Sequence, residues 1–229
     1  GPGFYAWLGH GAMVAIFLPA FLLPLAAIAM GLRSYWHEVG GQAVTLHDLR
    51  EAAISAGTMR NLSGGQGQGC NFEKGERYSN ARRHVHQAIM YRFLLCFAAT
   101  SVATVMHYLL DMPAPYGLFS LPKLLGIPGG LLLVAGCFGM IVLRGKADPG
   151  LGAPGRSGGE NAFIWTLGLA GLTGLVLYAL RGTALTGPLL ALHLGLVLAF
   201  FLVTPYSKMA HGFYRMAALV REAQLRRLR

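Results

Sequence analysis

Carboxylates are scarce in this chain: Asp and Glu together number nine among 229 residues. Those near the long apolar runs, Asp111 and Glu160, fall at their ends. A proton or ion pathway through a membrane ordinarily pairs buried histidine with Asp or Glu, so this shortage argues against a small-molecule transporter. Cysteine is nearly as rare. Cys70, Cys96 and Cys137 stand far apart with no Cys-x-x-Cys spacing, which excludes a zinc or iron–sulfur motif within the sequence. Cys96 and Cys137 fall inside apolar runs and read as small packing residues, and Cys70 as a loop residue or free thiol. No internal repeat, strand pattern or second domain is visible. The opening GPGFYAWLGHGAMV lacks both an initiator Met and the basic start of a signal peptide, which suggests a fragment boundary.

What is abundant is apolar sequence. Hydrophobic residues make up 54% of the chain and charged ones only 12%, the balance of an integral membrane protein. Five stretches reach the roughly 20 residues a helix needs to cross the hydrocarbon core: about 4–32, 85–110, 121–143, 161–180 and 187–206. The expected fold is an all-α membrane protein, a single domain over 1–229. It comprises a five-transmembrane-helix bundle, a basic segment at 33–84 carrying a short helix, and a tail at 207–229. Within the segment, TLHDLREAAISAGTMRNL begins with Thr45 and Asp48 at capping-box spacing. SGGQGQG then reads as a flexible loop, without the lysine and following Ser or Thr of a phosphate loop. Pro19 and Pro24 predict a kink in the first span. DMPAPYGLFSLPK predicts a short rigid loop, and RGKADPGLGAPGRSGGE a flexible one.

The net charge of +10 does not point to nucleic acid, because Lys and Arg cluster beside span ends. The 33–84 segment, the 144–160 loop and the tail are basic, whereas the opposite face carries only Lys123 and Arg181. The positive-inside rule makes the basic face cytoplasmic, the start of the chain external and its end internal, in the bacterial inner membrane. The tail, rich in arginine, reads as the last helix continuing along the anionic lipid surface.

Histidines inside spans are costly and point to function. From His193 to His211, 18 steps at about 100° make about five full turns, so an unbroken helix carries both on one face about 27 Å apart. His86 and His107 on the second span lie within about 60° of each other and about 31 Å apart. These helices run in opposite senses, so His86 should meet His211 at the inner end and His107 should meet His193 at the outer. Paired imidazoles at two levels are the donor set for two haem b groups. Gly195, Gly212, Ala88, Ala103 and Thr104 beside them leave room for a macrocycle. Arg82, Arg83, Lys208 and Arg215 are candidate propionate partners. His10 and His84 are alternative ligands or quinone-pocket residues, although a lone histidine at a helix end is ordinarily interfacial, as for His37. Lys123 either snorkels to the interface or bonds a quinone carbonyl. A haem-free membrane anchor for a soluble enzyme stays open as a reading from another class.

The stretches GCNFEKGERYSNARRHVHQAIMYRFLLCFAATSVATVMHYL, DMPAPYGLFSLPKLLGIPGG and HLGLVLAFFLVTPYSKMAHGFYR resemble the membrane portion of the tricarballylate/citrate utilisation protein B family, over nearly the whole chain. The His193–His211 unit is similar to the last helix of the respiratory nitrate reductase gamma subunit, a five-helix dihaem cytochrome b that exchanges electrons with quinone. The resemblance implies the electron-transfer, quinone-reducing component of an oxidoreductase complex. Electrons would come from a cytoplasmic FAD-dependent dehydrogenase that oxidises tricarballylate or a similar acid. They would pass through iron–sulfur clusters and haem b to the quinone pool. By position His86, His107, His193 and His211 become the axial ligands, and Lys123 matches a quinone-site lysine of the nitrate reductase subunit. The family's cysteine-rich iron–sulfur domain is absent, so the clusters are expected on a missing N-terminal part or a partner subunit, within a homo- or hetero-oligomer.

Overall fold

The computed structural model describes residues 8–62, 72–73, 77–146 and 157–228. Seven α-helices account for most of them: α1 His10–Glu38, α2 Leu46–Thr58, α3 Ala81–Leu109, α4 Leu121–Lys146, α5 Ser157–Ala179, α6 Thr186–Val203 and α7 Lys208–Arg227. The only strands among the described residues form a two-residue antiparallel ladder, Phe72–Glu73 against Arg77–Tyr78, in a segment whose sequence shows no strand pattern. Cys70, Arg156 and most of the glycine-rich 144–160 loop lie outside the described residues.

Five helices are long and apolar enough to cross a membrane: α1, α3, α4, α5 from Asn161, and α6 with the turn that ends at Tyr206. Their sides carry exposed Leu23, Phe97, Leu131, Phe138 and Leu202, as expected of helices whose outer surface meets acyl chains rather than water. They pack in the order α3, α4, α5, α6, α1. Small residues on α4 bring the backbones close: a Cβ at Gly129 would stand 3.1 Å from the Leu95 Cβ, and one at Gly136 2.9 Å from Ile89 Cγ1. This is the small-residue packing that membrane helices use where apolar burial from water gives no drive. The core joins Leu133 and Cys137 of α4, Leu167 of α5 and Phe200 of α6, with Ile89, Phe93 and Cys96 of α3 packed on it. Pro19 and Pro24 both lie inside α1.

The continuous helix expected through His193 and His211 is broken. After Val203 the chain turns through a 3₁₀ segment, Thr204–Tyr206, and Ser207 is extended at φ −104°, ψ 177°. Pro205 is the cause, since its ring clashes with a preceding carbonyl and it has no N–H to donate. Ser207 then caps a new helix, accepting from Met209 N at 3.1 Å. His211 therefore belongs to α7 rather than to the last span, and a count of helical turns across residues 204–207 does not fix its direction.

The tail is a separate helix, and α7 packs on α2. Thr45 and Asp48 form the expected capping box at the start of α2. Asp48 is fully buried. The Thr45 backbone N–H is the main cause that holds its carboxyl below the ordinary range, with Arg227 of α7 adding to it. Ala52 of α2 meets Leu219 and Val220 of α7. The buried Gln224 amide binds the connection between α1 and α2: Oε1 accepts from Gln42 N at 3.2 Å, and Nε2 donates to Gln42 O at 3.1 Å. Gln224→Ala should lower stability by about 2 kcal/mol by orphaning these buried backbone groups, measured as a lower thermal midpoint and faster proteolysis near residue 42. The far end of α2 is held by α3, where Arg83 donates to Thr58 O at 2.7 Å and Gln87 to Gly57 O at 2.7 Å. These donors satisfy carbonyls that a helix C-terminus leaves unpaired.

Candidate functional site

The histidines fall at two ends of the bundle. At the basic end, His86 lies in the second turn of α3, and its Nδ1 is buried without a hydrogen-bond partner among the described residues. A buried, unpaired ring nitrogen costs free energy unless something binds it. His211 approaches from the first turn of α7, close enough for the two rings to interact electrostatically. Desolvation first, then the charges of His86, Lys208 and Arg215, hold His211 below the ordinary histidine range, which favours the neutral imidazole that a metal requires. Lys208, His211 and Arg215 follow helical spacing on one face of α7. A Cβ built at Gly212 meets nothing within 4 Å, so there is open space beside the His211 backbone.

The remaining basic candidates divide. Arg83 is committed to the Thr58 carbonyl, while Lys208 and Arg215 are exposed beside His211. Arg82 is partly buried in the first turn of α3. His84 is exposed, and its position two residues before His86 points it roughly 200° around the helix from that ring.

The other end is arranged differently from the counting of turns. His107 lies with its ring centroid 6.1 Å from that of His10 and 4.7 Å from that of Tyr108. His10 Nε2 and the Tyr108 hydroxyl are 2.6 Å apart. His193 instead faces α5, where its Nδ1 is 3.2 Å from Thr173 Oγ1 and a Cβ at Gly174 would be 3.0 Å from its Cε1. Ring contacts give the relative depth. Phe93 and Phe200 meet at 5.8 Å, as do Phe21 and Phe201 at 5.2 Å. From that aromatic level His193 lies about 10 Å along α6, His10 about 16 Å along α1 and His107 about 21 Å along α3, at 1.5 Å per residue. His107 and His193 are thus offset in depth, with His10 between them. The offset arises because α3 and α6 are registered by their phenylalanines and not by their ends. A Cβ at Gly195 meets nothing within 4 Å, so open space adjoins α6 two residues beyond His193.

Lys123, in the first turn of α4, places Nζ 4.0 Å from the Tyr178 ring centroid, and the Arg181 guanidinium lies 4.4 Å from the same ring. The two basic residues of the less basic face are therefore brought together on one aromatic, a contact that helical spacing within either helix does not reveal. Thr173, Tyr108 and Tyr178 all escape a reading of the sequence. The signal for Thr173 was there, in a hydroxyl set within an otherwise apolar span. Among the described residues no three His, Cys, Asp or Glu side chains converge as a metal-ion site; a bis-histidine haem asks for two.

The whole chain, residues 1–229, matches the family model described as citrate utilization protein B. It belongs to the citrate utilization protein B family. A relative of that name from Escherichia coli is 40% identical over 220 residues, which is 96% of this chain and 58% of the relative. No solved structure matches. This family member thus spans little more than half the length of the curated relative, and the part it spans contains the five membrane-crossing candidates.

Proposed function

We propose that this member of the citrate utilization protein B family is a dihaem b membrane subunit. It would carry electrons between a cytoplasmic flavin and iron–sulfur dehydrogenase, acting on citrate or a tricarballylate-type acid, and the quinone pool. The observation that carries the proposal is at the basic end, where His86 and His211 stand on separate helices within electrostatic reach of each other, one with a buried unpaired nitrogen and the other beside open space. Those two residues would hold the first haem. His193 would hold the second together with His107 or His10. When bound, haem b supplies one-electron transfer at a potential set by its ligands and surroundings.

The chain's own residues do the positioning. Lys208 and Arg215 offer charge-assisted bonds to carboxylate groups of the first haem, joined by Arg82. Arg83 is occupied in holding α2. Lys123, fixed over Tyr178 beside Arg181, is the quinone-side candidate at the opposite end. The basic face faces the cytoplasm in this reading, where Arg33, Arg50 and Arg60 attract an acidic partner. A reduced-minus-oxidised optical spectrum of the purified protein should show b-type bands, with two haems per chain by extraction. Protein without a b-type band would sink the proposal in favour of a haem-free anchor.

A further inference from the structure

The geometry points to Thr173 as the positioning residue that fixes the tautomer of His193 and leaves Nε2 as its coordinating nitrogen. Thr173 lies in α5, within a membrane-crossing span, and is one of the few buried polar residues, with 8% of its surface exposed. A threonine hydroxyl has one proton to donate and lone pairs to accept. Thr173 Oγ1 lies 2.7 Å from Leu169 O and 3.2 Å from Ala170 O, and carbonyl oxygens only accept. The hydroxyl proton is therefore spent on α5's own backbone, a common arrangement for threonine in a helix. The same oxygen lies 3.2 Å from His193 Nδ1, so in this contact it accepts and the ring nitrogen donates. A neutral imidazole that carries its proton on Nδ1 has its lone pair on Nε2.

Two further observations fit. Gly174 lies against the same edge of the ring, where a Cβ would stand 3.0 Å from Cε1 and 3.4 Å from Nδ1. The edge is thus held between a hydroxyl and a bare backbone. The ring also hydrogen-bonds the Ala170 carbonyl, on the same turn of α5 as Thr173. In metal sites the hydrogen bond at the far ring nitrogen orients the ligand and raises its basicity, and Thr173 is the donor's partner here. The inference rests on the proposed role of His193 as a haem ligand.

The test compares Thr173→Val, which keeps shape and loses the oxygen, with Thr173→Ser, which keeps the oxygen, in the full-length two-haem protein. With the bond lost, His193 becomes a weaker electron donor and oxidised iron is less stabilised. In Thr173→Val the midpoint potential of one haem should rise, shifting its reduced-to-oxidised ratio about tenfold, equivalent to 59 mV for one electron. The other haem should not move, and Thr173→Ser should restore the original value. Nitrogen NMR of ¹⁵N-histidine in haem-stripped unmodified protein gives a readout independent of folding in the variants, with Nδ1 of His193 protonated. Unchanged potentials in Thr173→Val, or an Nε2-protonated His193, would overturn the role of Thr173 while leaving the dihaem reading intact. A wild-type protein that binds no haem overturns the reading beneath it as well.

Discussion

On the dihaem proposal, His211→Ala should purify with one haem against two in the unmodified protein, and the loss should halve the b-type absorbance per chain. His86→Ala should do the same, and the double variant should lose no more than either alone, because both residues serve one site. The fold predicts that this loss is local. His211 is exposed, whereas α7 is held by Leu219 and Val220 against Ala52 and by the buried Gln224 amide, about two to four turns away along the helix. The thermal midpoint of haem-stripped protein should consequently be unaltered by His211→Ala. His84→Ala is the control, since His84 leaves α3 on nearly the opposite side from His86 and should keep both haems. Extraction of haem as the pyridine complex measures the stoichiometry; two haems in His211→Ala would place the ligand elsewhere. Lys208→Gln or Arg215→Gln should weaken retention of the same haem modestly, as loss of one charge-assisted bond at an exposed position does.

The site at the basic end was only partly legible. Spans were clear because crossing a bilayer imposes length and composition on consecutive residues, and α2 was clear because the Thr45 and Asp48 signal is local. The direction of His211 was not, although its determinant stands in the sequence. Counting turns from His193 treats residues 193–211 as one helix, and Pro205 with Ser207 breaks that assumption. α7 is tied by Tyr214 against Gly31 and Tyr35 of α1, contacts that join residues far apart in sequence and set the direction of His211. A Cβ at Gly31 would overlap the Tyr214 hydroxyl, so the placement of α7 depends on a glycine in the first span. Periodicity within a helix carries no information of that kind. The same holds for Lys123, which reads alone as an interfacial residue and becomes one of two cations on Tyr178 only when α4 and α5 pack.

The second large effect concerns the other end, where His193→Ala should remove the haem that His211→Ala retains. The residue opposite is decided by comparing His107→Ala with His10→Ala. Depth along the helices puts His107 about 10 Å farther than His193 from the aromatic level and His10 about 6 Å farther, so position alone favours His10 as the nearer partner. Backbones also approach more closely between α1 and α6 than between α3 and α6, which meet through Phe93 and Phe200. Against this, His10 is the first residue of α1 and bonds the Tyr108 hydroxyl at 2.6 Å, a contact it would have to give up in order to coordinate through Nε2. His107 carries the family resemblance. If His107 is the ligand, His107→Ala loses the haem, and His10→Ala keeps both while altering the surroundings of Tyr108. If His10 is the ligand, the losses exchange, and Tyr108→Phe should strengthen rather than weaken haem retention, because it frees Nε2. The Tyr108 variant therefore separates the two assignments by sign: a gain selects His10, whereas no gain with loss in His107→Ala selects His107.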